Sequence, residues 1–136
     1  MLFRSGFDPR FFVYWEDADL CTRARAAGFR VLHVAGAVAR HLGQGTTRQV
    51  RARRLFYFMR SQILYAGKHH GVAAALALIA ASFCAQVPLR LALALAHRSP
   101  AEAAAVLRAA ALLAEALPQL AGPLMRGDRG SPAGSG

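Results

Sequence analysis

The run Gly71–Leu89, GVAAALALIAASFCAQVPL, carries no formal charge, and no other feature restricts the fold of this chain as much. In helical form, at about 1.5 Å per residue, it is just long enough to cross a bilayer. Alanine is a weak membrane residue, however, and Gln86 and Pro88 sit near the end of the run. Three placements therefore stay open: a bilayer-crossing helix, a helix buried against protein, and a helix lying in a membrane interface. Arg90 interrupts the run and LALALAH carries it on to His97. Ser99-Pro100 then opens a further alanine-rich helix, with proline in its favoured first turn. Glu102, Arg108 and Glu115 are its charges, and Pro118 and Pro123 are expected to break it. The closing MRGDRGSPAGSG has the composition of a disordered tail.

Composition changes near Gly71. Upstream of it, charges and aromatic residues are mixed, and no internal repeat is visible. Asp8-Pro9 is a turn signal, followed by an extended apolar run from Phe11 to Trp15. A helix is predicted from about Glu16 to Ala27, with acidic residues at the positive end of its dipole. Leu20, Ala24 and Ala27 share its buried face, and Gly28 is its stop. Phe29–Val34 then reads as a buried strand closed by Gly36. A short extended piece leads to His41, and Gly43 and Gly45 loosen the loop after it. A long helix is predicted from about Thr47 to His69, with an apolar stripe of Leu55, Met59, Ile63 and Leu64 and basic surface from Arg48, Arg51, Arg54 and Arg60.

Lys plus Arg outnumber Asp plus Glu by 17 to 7, a balance that predicts an anionic partner. Cys21 and Cys84 stand far apart and form no metal or redox motif. The opening MLFRSGFDPRFF lacks the apolar core of a secretory signal. Basic residues of the long helix alternate with Phe56, Tyr57, Phe58 and Tyr65. No nucleic-acid motif of known spacing accompanies them, so nucleic acid is not an expected partner. Aromatic residues flanked by Lys and Arg suit an anionic membrane surface better. His69-His70 reads as a solvated helix end.

The densest acidic cluster, Glu16, Asp17 and Asp19, follows directly on the aromatic run ending at Trp15. Acidic residues at a helix start ordinarily serve the dipole. At a junction between an apolar strand and a helix, where ligands bind in open α/β folds, a carboxylate can also take a proton from a hydroxyl nucleophile.

Several elements now fall in order: Gly6-Phe7-Asp8, Phe11-Phe12, Trp15-Glu16-Asp17, Asp19-Leu20, Arg25 and Gly28, Phe29-Arg30-Val31, and His41-Leu42-Gly43. Over roughly residues 5–70 this pattern resembles the C-terminal half of the catalytic domain of family 2 glycosyltransferases, in the rhamnosyltransferase-like and galactofuranosyltransferase-like branch. The resemblance implies an α/β fold: the acceptor-side half of a GT-A domain over residues 1–70, Ala/Leu-rich helices with membrane affinity over 71–122, and a tail over 123–136. It implies inverting transfer from a nucleotide-sugar to a glycan or lipid-linked acceptor, in cell-surface polysaccharide synthesis at the cytoplasmic face of a bacterial inner membrane. Asp17 would be the general base, Trp15 and Glu16 would line the acceptor site, and His41 would ligate Mg²⁺ or Mn²⁺. Arg60, or Arg48, would neutralise the donor diphosphate. Asp17-Ala18-Asp19 is not the family's metal motif, which ends an earlier strand in a nucleotide-binding half that does not precede these residues; transfer is expected to require that half. The alternative expectation is a membrane-associated basic helical protein without catalysis.

Overall fold

The computed structural model describes residues 6–38 and 51–125. Of these, 76% are helical and none lies in a strand. The expected α/β, GT-A-type architecture is therefore corrected to an all-helical one. The physical reason lies in Phe29–Val34. Its backbone is irregular rather than laddered, and Phe29, Leu32 and Val34 are 53%, 65% and 63% exposed. A strand is stable only when a neighbour satisfies its N–H and C=O groups. Among the described residues nothing offers that neighbour, because the rest of the chain is dominated by strong helix formers.

The elements are α1 (Glu16–Ala26), α2 (Arg51–His70), α3 (Val72–Ala81), a π-helical turn (Ser82–Gln86), α4 (Val87–Ala96) and α5 (Pro100–Met125). The α1 helix lies where the sequence places it, and so does α2 from Arg51 on; its expected start at Thr47 lies outside the described residues. Gly28, at φ 85°, ends α1, and Gly71, at φ 86°, makes the corner between α2 and α3. Both take a left-handed conformation that glycine adopts at low cost. The Ser82 hydroxyl donates to the Leu78 carbonyl at 2.8 Å where the π turn begins. Arg90 does not interrupt the helix; it lies exposed within α4. Nor do Pro118 and Pro123 break α5, which runs through both. Both prolines are exposed, so water reaches the carbonyls that their missing N–H groups leave unpaired.

The α2, α3–α4 and α5 helices form a bundle in which α2 packs on α3 and α5, and α4 packs on α5. Arg51 meets Glu102 at 3.2 Å where α2 and α5 begin. At the other end, Gly67 of α2 faces Leu124 of α5 so closely that a Cβ there would strike the leucine side chain. These two helices therefore run parallel, with α3–α4 returning between their ends. The core joins Met59, Ile63 and Leu64 of α2 to Ala75 of α3 and to Ala109, Leu113, Leu120 and Leu124 of α5. The buried positions of α5, Val106, Ala109, Leu113, Ala116, Leu120 and Leu124, recur at three- and four-residue intervals along one face.

Candidate functional site

The segment before α1 lies across the face of α2 that α3 and α5 leave free. Phe11 is buried in the core. The Ser61 hydroxyl donates to the Val13 carbonyl at 2.9 Å, and Arg60 Nη1 donates to the Arg10 carbonyl at 3.1 Å. The Phe12 ring sits 5.0 Å from Tyr57, and the Trp15 ring 5.0 Å from Tyr65. Tyr14 and Trp15 both have φ 67°. Left-handed backbone costs a non-glycine residue roughly 1–2 kcal/mol, so the packing of both rings against Phe58 holds a strained corner in place. Strain of this kind concentrates at functional sites.

That corner delivers three acidic residues to the first turn of α1: Glu16, Asp17 and Asp19. Asp17 is exposed, and among the described residues its Oδ1 accepts only the Ala18 N–H, at 2.8 Å. Glu16 is half-buried, and its Oε2 is buried without a hydrogen-bond partner among the described residues. Trp15 is half-buried beside them.

Asp19, two residues on and on the opposite side of the helix, is fully buried. Its Oδ1 lies 2.7 Å from both Lys68 Nζ and His69 Nε2, and its Oδ2 accepts from Arg23 Nε at 2.8 Å. Lys68 Nζ also reaches Asp8 Oδ2 at 2.7 Å, and Arg10 Nη2 meets the same oxygen at 2.7 Å. Burial alone would raise the Asp19 pKa; hydrogen bonds from Lys68, His69 and Arg23 outweigh it and hold the carboxyl below the usual range. Asp8 behaves alike: burial raises its pKa, and hydrogen bonds from Arg10 and Lys68 carry it well below the ordinary value. This cluster pins α1 to the end of α2, which leaves the Asp17 carboxylate standing outward on a fixed helix.

The residues expected from sequence thus divide. Trp15, Glu16 and Asp17 come together at one corner. Arg60 lies on the same face of α2 but spends a guanidinium N–H on the backbone of Arg10. His41 and Arg48 lie outside the described residues. Among the described residues no group of three or more His, Cys, Asp or Glu side chains could hold a metal ion, and the two gathered carboxylates, Asp8 and Asp19, are already engaged by cations. Sequence reasoning missed the cluster itself. His69-His70 reads as a solvated helix end and Lys68 as part of a basic surface, yet the Lys68 and His69 side chains are only 9% and 14% exposed. Their one legible signal is scarcity: a very basic chain keeps most of its few carboxylates within Asp8–Asp19, and a buried carboxylate needs a cationic partner.

Among the described residues two segments, Val72–Ala96 and Pro100–Leu124, are long and apolar enough to cross a membrane. Compared with protein-family models, with curated proteins and with solved structures, the chain matches none.

Proposed function

We propose that this chain supplies the acceptor-side, base-bearing part of an inverting sugar transferase working at an anionic membrane. One observation carries the reading. The second acid after Trp15 is an exposed carboxylate whose only hydrogen bond among the described residues is to its own helix start, on a strained corner held by a buried ionic cluster. The motif around it, Phe-Phe-Val-Tyr-Trp-Glu-Asp-Ala-Asp-Leu, resembles that of family 2 glycosyltransferases. In the proposed step, Asp17 takes the proton of an acceptor hydroxyl. The acceptor oxygen attacks the anomeric carbon of a nucleotide-sugar, the bond from that carbon to the diphosphate oxygen breaks, and the nucleoside diphosphate leaves with the electron pair. Configuration inverts because attack and departure are on opposite faces. Trp15 offers a ring face for the acceptor sugar, and the half-buried Glu16 lies between it and Asp17. Donor binding requires groups beyond the described residues, and no step here is routed through a metal.

The test is sugar transfer from labelled nucleotide-sugars to glycan and lipid-linked acceptors, with a donor-binding segment supplied in cis or in trans. Asp17→Asn should lower turnover by about 10²–10⁴-fold while far-ultraviolet circular dichroism stays unchanged. Undiminished turnover removes Asp17 as the base. A second reading, a membrane-associated helical protein without catalysis, draws on the two long apolar segments. It gains if no nucleotide-sugar is turned over by the assembled protein.

A further inference from the structure

The two long apolar segments raise a question of orientation that length alone does not answer. Crossing the bilayer would carry the whole bundle to the same depth, since α2 is packed along α3 and α5. The other face of α2 bears the irregular backbone around Arg10 to Trp15, with Arg60 and the Lys68–Asp19 cluster along it. Non-helical backbone is not tolerated facing hydrocarbon, where nothing satisfies its polar groups. On α5, Arg108 and Glu115 are both exposed and both lie near the middle of Pro100–Leu124. A charged side chain at the centre of a crossing helix costs at least about 2.5–3.5 kcal/mol.

The same bundle laid flat meets none of these penalties. Along α3, the π turn and α4, the residues Leu76, Ala80, Cys84, Leu89, Leu93 and Ala96 are all exposed. They recur at roughly helical spacing and carry no charge. Leu76, Leu89 and Leu93 are 57%, 63% and 50% exposed, more apolar side chain than a helix in water ordinarily leaves open. Positive charge gathers beside the strip. Arg90 lies within α4 and Arg98 in the α4–α5 corner, both exposed. The exposed Arg53 and Arg54 start α2, whose Arg51 ties that end to α5.

We infer that the α3–α4 strip is an interfacial membrane-binding surface: the bundle axis lies in the membrane plane, the leucines enter the acyl boundary, and the flanking arginines meet anionic phospholipid headgroups. Charge complementarity selects this occupant over a neutral protein groove, because the apolar strip is bordered by cations and the chain has a net charge of +10. The inference shares the membrane setting of the proposed transferase but does not depend on Asp17.

Cys84 gives the test. It is exposed and lies midway along Val72–Ala96. With Cys21→Ser leaving it as the single thiol, Cys84 is spin-labelled, and its depth is read by relaxation agents in phosphatidylcholine vesicles with and without phosphatidylglycerol. The surface-lying mode puts the label about 5–10 Å below the headgroups. A crossing helix puts it at the midplane, about 15 Å deep, and that result overturns the inference. So does a label that stays fully water-accessible when anionic vesicles are added. Leu89→Gln with Leu93→Gln, both at exposed positions, should weaken vesicle binding by roughly tenfold or more with helix content intact. Unchanged binding would also overturn it. Sugar transfer measured in the same preparations reports separately on Asp17.

Discussion

Asp17 and Asp19 are separated by one residue and have opposite fates. In a helix, positions two apart face nearly opposite directions, so one carboxylate stands in water while the other is buried among Lys68, His69 and Arg23. The buried one governs stability. Because Asp8 and Asp19 hold depressed pKa values in the folded chain, the unfolded chain takes up protons first as pH falls. Their stabilisation is complete above the unfolded carboxylate pKa near 4 and is lost as pH drops through the lower folded values. Urea unfolding followed from pH 7 to pH 2 should therefore show a steep fall beginning below about pH 4. Asp19→Asn should cost about 3–5 kcal/mol at pH 7, since it strips a buried partner from Lys68, and should flatten the acid limb. A variant as stable as the parent at neutral pH would mean that the cluster is loosely solvated. From sequence, Asp19 was legible only as a helix-start acid, because two of its partners, Lys68 and His69, lie some fifty positions away on another helix, and Arg23 alone stands one turn on.

Helices were more legible than the contacts between them. The start of α1, its Gly28 stop, the stripe of α2 and the opening of α5 at Pro100 all follow from local signals, since capping, dipole and periodicity act within a few residues. The strand at Phe29–Val34 did not, because strand formation is decided by a distant partner rather than by the segment itself. The prolines of α5 misled for a related reason: a proline's cost in a helix depends on whether water can reach the carbonyl it leaves unpaired, which sequence does not display. Pro118 is exposed within the helix, so Pro118→Ala should restore a backbone hydrogen bond and raise stability by about 1–3 kcal/mol, after allowing for the freer unfolded chain. Thermal unfolding checks this. A lower midpoint would show that a bend at Pro118 sets the fit of Leu120 and Leu124 in the core.

At the scale of the whole molecule, α2 is the middle layer: Asp8 to Asp19 covers one side, and α3 and α5 cover the others. The compositional change at Gly71 thus falls at a corner between two packed helices. A middle layer loses protection only when the bundle opens, whereas a segment without hydrogen bonds has none to lose. The amides of Leu55–Gly67 should accordingly exchange slowest, by at least about a thousandfold relative to the open chain. The amides from Arg30 to Gly36 have no hydrogen-bond partner among the described residues and should exchange at open-chain rates. Amide exchange read by mass spectrometry separates these regions. Protection at Arg30–Val34 would mean that this apolar segment is paired after all, and the all-helical description would then be incomplete at that point. Slow exchange confined to α2, α3 and α5 would place the folding unit in the helices, with Asp17 carried on its edge by the ionic cluster and the aromatic contacts of Trp15.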